Sequence, residues 1–255
     1  MLNRFVRGVR ALPRRSANRF FGTLVRVQTR SPAVALTFND GPDPIYTPRL
    51  LEVLEKHGAA GTFFMIGEQA AAHADLVRAV GKGGHAVANH GWDHARFPEI
   101  SVRECRTQVR RCAEAIRPYG QRFFRPPQSL QSVRSYLAVR SMGYECVSWS
   151  TTVTDWLTDD ADQIASRMIE MLKPGRIVLL HDGLHAPRVP GAEDRSAMID
   201  AVDIALNHLR SFSFVTLQEL LRLGRPVRFP WFIRSELDWE RRRTIRSRRK
   251  LNAAA

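Results

Sequence analysis

Residues 36–42 read LTFNDGP, and this stretch is the most informative part of the chain for its fold. It continues an apolar run from Ala33 that predicts a buried strand, and it places the carboxylate of Asp40 at the strand's end, before a Gly-Pro turn. A second stretch, residues 90–94, reads HGWDH and offers two imidazoles four residues apart. One carboxylate and two imidazoles are a usual protein ligand set of a hydrolytic metal centre, which keeps a position open for water.

Short apolar runs alternate with helical segments from residue 33 onward. The predicted strands are 33–38, 61–66, 85–89, 122–125, 144–149, 176–181 and 212–215. The predicted helices are 47–57, 69–82, 101–117, 131–142, 160–172, 194–209 and 217–222. This alternation predicts a parallel α/β architecture, and about seven repeats of the unit favour a (β/α) barrel over an open sheet.

Chemically active side chains recur where predicted strands end. They are Asp40, His90, Arg125, Asp155 and His181. In a parallel barrel the carboxyl ends of the strands converge on one face, where active sites are built. The sequence therefore predicts that these five side chains share a site.

Positive charge is concentrated at the two ends of the chain. The net charge is +14, yet residues 31–221 carry only about −2, because residues 1–30 hold eight Arg and no acid, and residues 222–250 hold eleven Arg or Lys against three acids. We divide the chain into a basic N-terminal segment (1–31), a barrel domain (32–223) and a basic C-terminal tail (224–255). A nucleic-acid groove through the domain is not expected.

The N-terminal segment has apolar residues at helical spacing, with arginines between them. Leu2, Phe5, Val6 and Val9 form this pattern. Two interpretations stay open: an amphipathic helix on an anionic membrane, or a helix or lead-in packed on the barrel, which we slightly favour. The sequence has no apolar run of 18 residues, no secretory leader and no CxxC spacing. We therefore expect a cytoplasmic protein, with peripheral contact to the inner face of the membrane as an alternative.

Five short motifs in fixed order resemble the polysaccharide deacetylase family, the chitin-deacetylase-like domain of carbohydrate esterase family 4. The resemblance covers about residues 32–222 and rests on residues 37–42, 90–94, 124–127, 155–156 and 179–181. Members of that family have a distorted barrel of about seven strands, so the resemblance implies the same fold class here.

The resemblance also implies roles for individual residues. Asp40, His90 and His94 are the implied ligands of a divalent metal, with Zn²⁺ preferred over Co²⁺ or Ni²⁺. His181 is the implied general acid, Asp155 orients it, and Arg125 steadies the residue at the base position, with Asp155 as an alternative partner. The implied substrate-binding residues are Pro126, Gln128, Trp156 and Leu179.

Departures from the family pattern fall inside the motifs. Asn39 stands where the family has the Asp that acts as base, and an amide cannot take a proton. A positioned base is worth roughly 10²–10⁴ in rate, or about 3–5 kcal/mol of barrier. Three outcomes stay open: a substitute base among Asp43, Asp93, Asp182 and His181, a slow enzyme that relies on the metal, or a pseudoenzyme.

The function we expect is a metal-dependent hydrolase acting on carbon–nitrogen bonds other than peptide bonds. It removes N-acetyl groups, or with less support O-acetyl groups, from a carbohydrate or glycoconjugate. Because export is not expected, an intracellular, lipid-linked glycoconjugate fits better than a mature wall polymer. The alternative is a catalytically impaired pseudoenzyme that binds glycan, because Asn39 replaces the base. The sequence leaves the oligomeric state open.

Overall fold

The computed structural model describes residues 22–185 and 191–230. Its central sheet has seven parallel strands: β2 (Ala33–Asn39), β3 (Gly61–Met65), β4 (Ala86–Asn89), β5 (Gly120–Phe124), β6 (Glu145–Cys146), β7 (Thr151–Thr152) and β8 (Ile177–His181). Their order is β6-β5-β4-β3-β2-β8-β7, and β9 (Ser213–Phe214) pairs with the start of β2. In this part of the chain β6 and β7 form the two ends of the sheet, so the barrel is a curled half-barrel. The predicted α/β fold class is confirmed.

The outer layer consists of helices that lie between the strands in sequence. They are α1 (Tyr46–Lys56), α2 (Gly67–Ala72), α3 (Ala74–Lys82), α4 (Val102–Ala115), α5 (Val133–Arg140), α6 (Ala161–Met171), α7 (Ser196–His208) and α8 (Leu217–Arg222). The helix predicted over residues 69–82 is divided at His73, whose φ of −127° and ψ of 55° are not helical.

Strand β2 is buried along its whole length and separates two cores. Val34, Leu36 and Phe38 point to the outer core, which contains side chains of α1, α6 and α7. Ala33 and Ala35 point to the inner core, inside the half-barrel. Because successive side chains of a strand alternate between its faces, Thr37 and Asn39 also point inward. This register brings two polar residues of the first motif to the inner face.

A pair of strands joins the two ends of the described chain. Strand β1 (Thr23–Gln28) runs antiparallel to β10 (Arg225–Phe229). The sequence analysis placed these residues in the basic terminal segments, but Leu24 and Val27 are fully buried in the inner core. A register shift between Leu24 and Arg26 lets Leu24 and Val27 both face the inner core, so this strand packs against the barrel domain. The helix predicted around Leu2–Val9 and the rest of the tail lie outside the described residues.

The described helices and the three cysteines bear on two further points of the sequence analysis. Among the described helices, none combines the length and apolar character required to cross a bilayer. The cysteines Cys105, Cys112 and Cys146 are all buried and free. All three belong to the hydrophobic core, where a free cysteine behaves as a small apolar residue.

Candidate metal centre and active site

Three potential metal ligands meet where β2 and β4 end. Asp40 directly follows β2 and is 7% exposed, while His90 directly follows β4 and is 1% exposed. Asp40 Oδ1 lies 3.2 Å from His90 Nε2 and 3.5 Å from His94 Nε2. One ligand atom from each of the three residues falls within 4.8 Å of the others. We call these three residues the metal triad.

The triad has the chemistry expected of a cation site. Asp40 Oδ1 and His90 Nε2 are buried without a hydrogen-bond partner, although they face each other. Such orphaned atoms are costly unless something binds them. His90 Nδ1 lies 2.8 Å from the carbonyl oxygen of Arg125, which orients the ring with Nε2 toward Asp40. A neutral ring that donates from Nδ1 presents an Nε2 lone pair, so the residues fit a divalent ion.

Electrostatics favours an ionised carboxylate in the triad. Burial alone would raise the pKa of Asp40, but the interactions of this carboxyl group with His94, His90 and His181 outweigh burial and hold the pKa well below its ordinary value. Burial lowers the pKa of His94 to about 4, against the raising effect of Asp40. A charged Asp40 and a neutral His94 are the protonation states that metal ligands require.

Backbone strain is concentrated in the loops that build the site. Among the described residues, five non-glycine residues have positive φ: Asp40 (71°), His94 (60°), Gln128 (51°), Ser129 (57°) and Thr154 (56°). All five belong to the motif segments or lie directly beside them. This conformation costs energy for residues with a Cβ and tends to cluster at functional sites.

Arg125 and Asn39 occupy the inner face beside the triad. Fully buried Arg125 donates from Nη1 to Asn39 Oδ1 at 2.8 Å. Its Nη2 donates to Thr37 Oγ1 at 2.9 Å and to the Ser148 carbonyl at 3.1 Å. The guanidinium carbon also lies 4.0 Å from the ring centroid of Phe64. The arginine thus reaches the base position predicted for it and binds an amide there.

Asp155 and His181 form a buried pair on the other side of Asn39. Strand register sets Asn39 of β2 beside His181 of β8. Asp155 Oδ2 accepts a hydrogen bond from the His181 backbone N–H at 3.0 Å and lies 3.2 Å from Nδ1 of that ring. The edge of Trp156 packs against the same ring, with centroids 5.0 Å apart. The pair therefore has the placement predicted for an acid and its orienting carboxylate.

Arg195 completes this pair, and sequence reasoning did not assign it a role. It is 2% exposed, and its Nη2 donates to Asp155 Oδ2 at 2.5 Å while Nε donates to the His181 carbonyl at 3.2 Å. Burial would raise the pKa of Asp155, but His181 and Arg195 hold it below its ordinary value. The arginine on Asp155 is Arg195, which corrects the alternative that gave this place to Arg125.

The carboxylates considered as substitute bases have separate hydrogen bonds. Asp43 Oδ1 accepts from the backbone N–H of Ile45 at 2.8 Å and stabilises a turn, whereas Asp93 Oδ2 accepts from the Gln108 side chain of α4 at 2.9 Å. Asp182 is buried, accepts from Thr47 Oγ1 at 2.6 Å, and has its pKa raised by burial to about 7. Its carboxyl group packs so closely on Gly41 that a Cβ there would lie 2.2 Å from Oδ2.

The predicted substrate-binding residues differ in accessibility. Gln128 and Trp156 are half-buried, whereas Pro126 is buried and Leu179 is 0% exposed in the inner core. Leu179 therefore packs in the inner core behind the site and is not exposed to a substrate. In the turn after Pro126, the backbone N–H groups of Ser129 and Leu130 donate to the carbonyls of Pro126 and Pro127. Gln128 is a central residue of that turn.

His185 is a second residue that sequence reasoning missed. Its backbone N–H donates to Asp40 Oδ2 at 3.1 Å, and its ring centroid lies 5.0 Å from that of His94. Its signal in the sequence is weak, because it follows His181 by four residues in a loop that matches none of the motifs.

Comparisons with known proteins agree with this geometry. The family model described as "Polysaccharide deacetylase" matches residues 26–147. A chitooligosaccharide deacetylase of Sinorhizobium fredii is 35% identical over 168 residues, which cover 64% of this chain and 78% of that protein. A peptidoglycan-N-acetylglucosamine deacetylase of Bacillus cereus is 33% identical over 195 residues, covering 74% of this chain and 88% of the relative.

Solved structures show the same fold. A crystal structure of a peptidoglycan N-acetylglucosamine deacetylase superposes with a TM-score of 0.72 at 27% identity, covering 80% of this chain and 95% of that one. A pseudoenzyme of carbohydrate esterase family 4 from Bacillus anthracis gives a TM-score of 0.68 at 24% identity, covering 77% of this chain and 68% of that one. The second likeness shows the fold alone.

Proposed function

The chain belongs to the polysaccharide deacetylase family, and on that premise we propose that it is a metal-dependent hydrolase that removes the N-acetyl group from an N-acetylglucosamine unit of a saccharide or glycoconjugate. Both relatives described above are named for deacetylation of such sugars or their polymers. The observation that carries the proposal is the pair of orphaned buried atoms in the metal triad, which lies beside a buried His–Asp pair.

Asp40, His90 and His94 would hold the ion. A divalent metal bound there supplies Lewis acidity at the acetyl carbonyl and lowers the pKa of water to around 7. The residues around it fix the ligands: the Arg125 carbonyl orients the His90 ring, and the His185 backbone N–H holds the second oxygen of Asp40. This second layer of contacts keeps the ligand atoms aimed at one point.

His181 would donate a proton to the leaving amine. Its Nδ1 faces Asp155, so Nε2 is the nitrogen that can serve the substrate. Asp155, held in turn by Arg195, fixes the orientation of the His181 ring. The half-buried Trp156 packs on the same ring and offers an apolar wall for the acetyl methyl group. The backbone N–H of Gln128 is our candidate donor to the developing oxyanion.

Asn39 sets the expected rate. Its Oδ1 is occupied by Arg125, and its amide nitrogen can hold a water by donating a hydrogen bond but cannot accept the proton. We therefore expect slow turnover, with His181 or Asp182 as the substitute base.

The test is acetate release from a panel of N-acetylated chitooligosaccharides, peptidoglycan fragments and glycolipids, with O-acetylated sugars alongside. The protein is stripped of metal and reconstituted with Zn²⁺, Co²⁺ or Ni²⁺. His90→Ala is the control, because it removes a ligand of the triad. Metal-dependent acetate release that His90→Ala abolishes supports the proposal.

The second candidate function is glycan binding without turnover, and the amide at position 39 favours it. Under this alternative the protein binds one metal ion per chain and retains saccharides, but releases no acetate under any metal. That combination of results would replace the proposed function by the alternative.

A further inference from the structure

His185 lies beside the metal triad and touches it twice. Its backbone N–H donates to Asp40 Oδ2 at 3.1 Å, on the oxygen that does not face the histidines. Its imidazole packs against the ring of His94, with centroids 5.0 Å apart and planes inclined by 52°. The loop after β8 therefore brings a third imidazole to the same centre.

The spacing of the rings is that of ligands sharing an ion. His90 and His94, both in the triad, have ring centroids 5.2 Å apart and planes inclined by 54°. His185 repeats this distance and inclination on another side of His94. The group of ligand atoms within 4.8 Å of one another consists of Asp40, His90 and His94, so the His185 ring must turn toward it to become a ligand. The side chain of His185 is exposed, which leaves its rotamers free to change.

We propose that His185 is a fourth protein ligand of the metal centre, supplied by the loop after β8. The inference rests on the proposed metal site and deepens it. An imidazole is a good ligand for Zn²⁺, Co²⁺ and Ni²⁺, and its affinity rises when its backbone is already anchored. Zinc sites can expand from four to five ligands, and in a five-coordinate site four protein ligands leave one position for water.

A substitution of His185 can test the imidazole separately from the backbone N–H that holds Asp40. Replacing His185 by Ala removes the imidazole but keeps the N–H that holds Asp40, so the triad itself stays in place. His208 is also exposed but lies at the end of α7, where its Nδ1 donates to the Ile204 carbonyl at 2.9 Å. His208→Ala is therefore the matched control for the loss of one surface histidine.

The experiment measures Zn²⁺ affinity by competition with a chromophoric chelator, and ligand number by the visible spectrum of the Co²⁺ protein. We expect His185→Ala to weaken Zn²⁺ binding by more than the roughly 10-fold to 100-fold that loss of an outer-shell partner costs, and to change the position and intensity of the Co²⁺ bands, which only the loss of a direct ligand does. His185→Asp, which restores a ligand oxygen, should recover part of the affinity, and His208→Ala should match the wild type.

Two outcomes would overturn the inference, and they differ in what they say of the proposed function. If the wild type binds one ion and His185→Ala matches it within twofold and in its Co²⁺ spectrum, His185 is a neighbour of the centre and the triad alone is the site. If the folded wild type binds no divalent ion, the metal centre and the proposed function fail together.

Discussion

Two buried arginines lie on opposite sides of the candidate site, and they hold different partners. We call Thr37, Asn39 and Arg125 the base half, and Asp155, His181 and Arg195 the acid half. In the acid half Arg195 binds a carboxylate at 2.5 Å. In the base half Arg125 binds the amide oxygen of Asn39 at 2.8 Å.

The difference shows that the buried position of Arg125 does not require a carboxylate at position 39. Arg125 remains fully buried on the inner face, and its acceptors described above are an amide, a hydroxyl and a carbonyl. These neutral acceptors take hydrogen bonds from Nη1 and Nη2, so the fold holds the base half in place without a carboxylate at position 39. The amide of Asn39 keeps these contacts, but unlike a carboxylate it cannot take a proton.

The largest effect is expected where both halves depend on the metal triad. His90→Ala, or removal of the ion by a chelator, should abolish acetate release, because the triad loses a ligand or its cation. Added Zn²⁺ should raise the melting temperature of the wild type but not that of His90→Ala, since a ligand that binds the native state stabilises it. Calorimetry with and without Zn²⁺ measures this.

A melting temperature that is the same with and without Zn²⁺ would contradict that expectation. His181→Ala is the matched control from the acid half. It should retain the Zn²⁺-dependent rise while losing turnover, which would show that metal binding belongs to the triad rather than to the whole site.

The next effect is repair of the base half. Asn39→Asp places a carboxylate where Arg125 Nη1 already donates, so the new group should be ionised and able to take a proton. Acetate release should rise roughly 10²–10⁴-fold. The measurement is kcat on the best substrate of the panel, at saturating metal.

The double variant Asn39→Asp with His181→Ala shows whether the gain uses the intact acid half. We expect it to lose most of the gain. A single variant that gains less than about tenfold would indicate that another group already acts as base, and Asp182→Asn in the wild-type background would then identify or exclude Asp182.

The two arginines should also differ in their effect on stability. Arg195→Met removes the arginine partner of the buried Asp155 carboxylate, and breaking a buried pair costs about 3–5 kcal/mol. Arg125→Met leaves neutral acceptors unsatisfied, which costs about 1–3 kcal/mol. Urea unfolding of both variants gives the two free energies.

In the Asn39→Asp background the cost of Arg125→Met should rise toward that of Arg195→Met, because the amide has become a charge. A double-mutant cycle isolates this coupling between positions 39 and 125. Equal costs of Arg125→Met in both backgrounds would mean that the base half does not hold the new carboxylate as the acid half holds Asp155.

Sequence patterns predicted most of the central fold, because buried strands and amphipathic helices alternate clearly from Ala33 onward. Strands β1 and β10 were missed, since their apolar residues are interleaved with arginines that suggested basic terminal segments. Strand β7 has only two residues, Thr151 and Thr152, and its pairing with β8 leaves no local pattern.

The site was predictable where short motifs carry its residues, as for Asp40 and His90. Arg195 and His185 could not be recognised, because their roles come from long-range contacts: Arg195 meets Asp155 forty residues earlier, and His185 meets Asp40 from 145 residues away. An arginine before a helix and a histidine in a loop look like ordinary surface residues until the fold places them.

The smallest expected effect concerns the acid half at low pH. The pKa of Asp155 is held below its ordinary value of 3.8, because His181 and Arg195 outweigh the effect of burial. A carboxyl group with a lowered pKa in the folded state stabilises the protein above its unfolded pKa, and this stabilisation is lost as the pH falls through the folded pKa. The free energy of unfolding should therefore fall as the pH drops below about 4.

Asp155→Asn removes the titrating group, so its unfolding free energy should depend less steeply on pH in that window, even though the variant is less stable at neutral pH. Asp159→Asn, at an exposed position, is the control and should keep the wild-type slope. Urea unfolding at pH 3 to 6 measures the slopes. Equal slopes for Asp155→Asn and the wild type would mean that Arg195 and His181 do not stabilise the charge of Asp155. The acid half would then not be distinguished from the base half by a stabilised carboxylate.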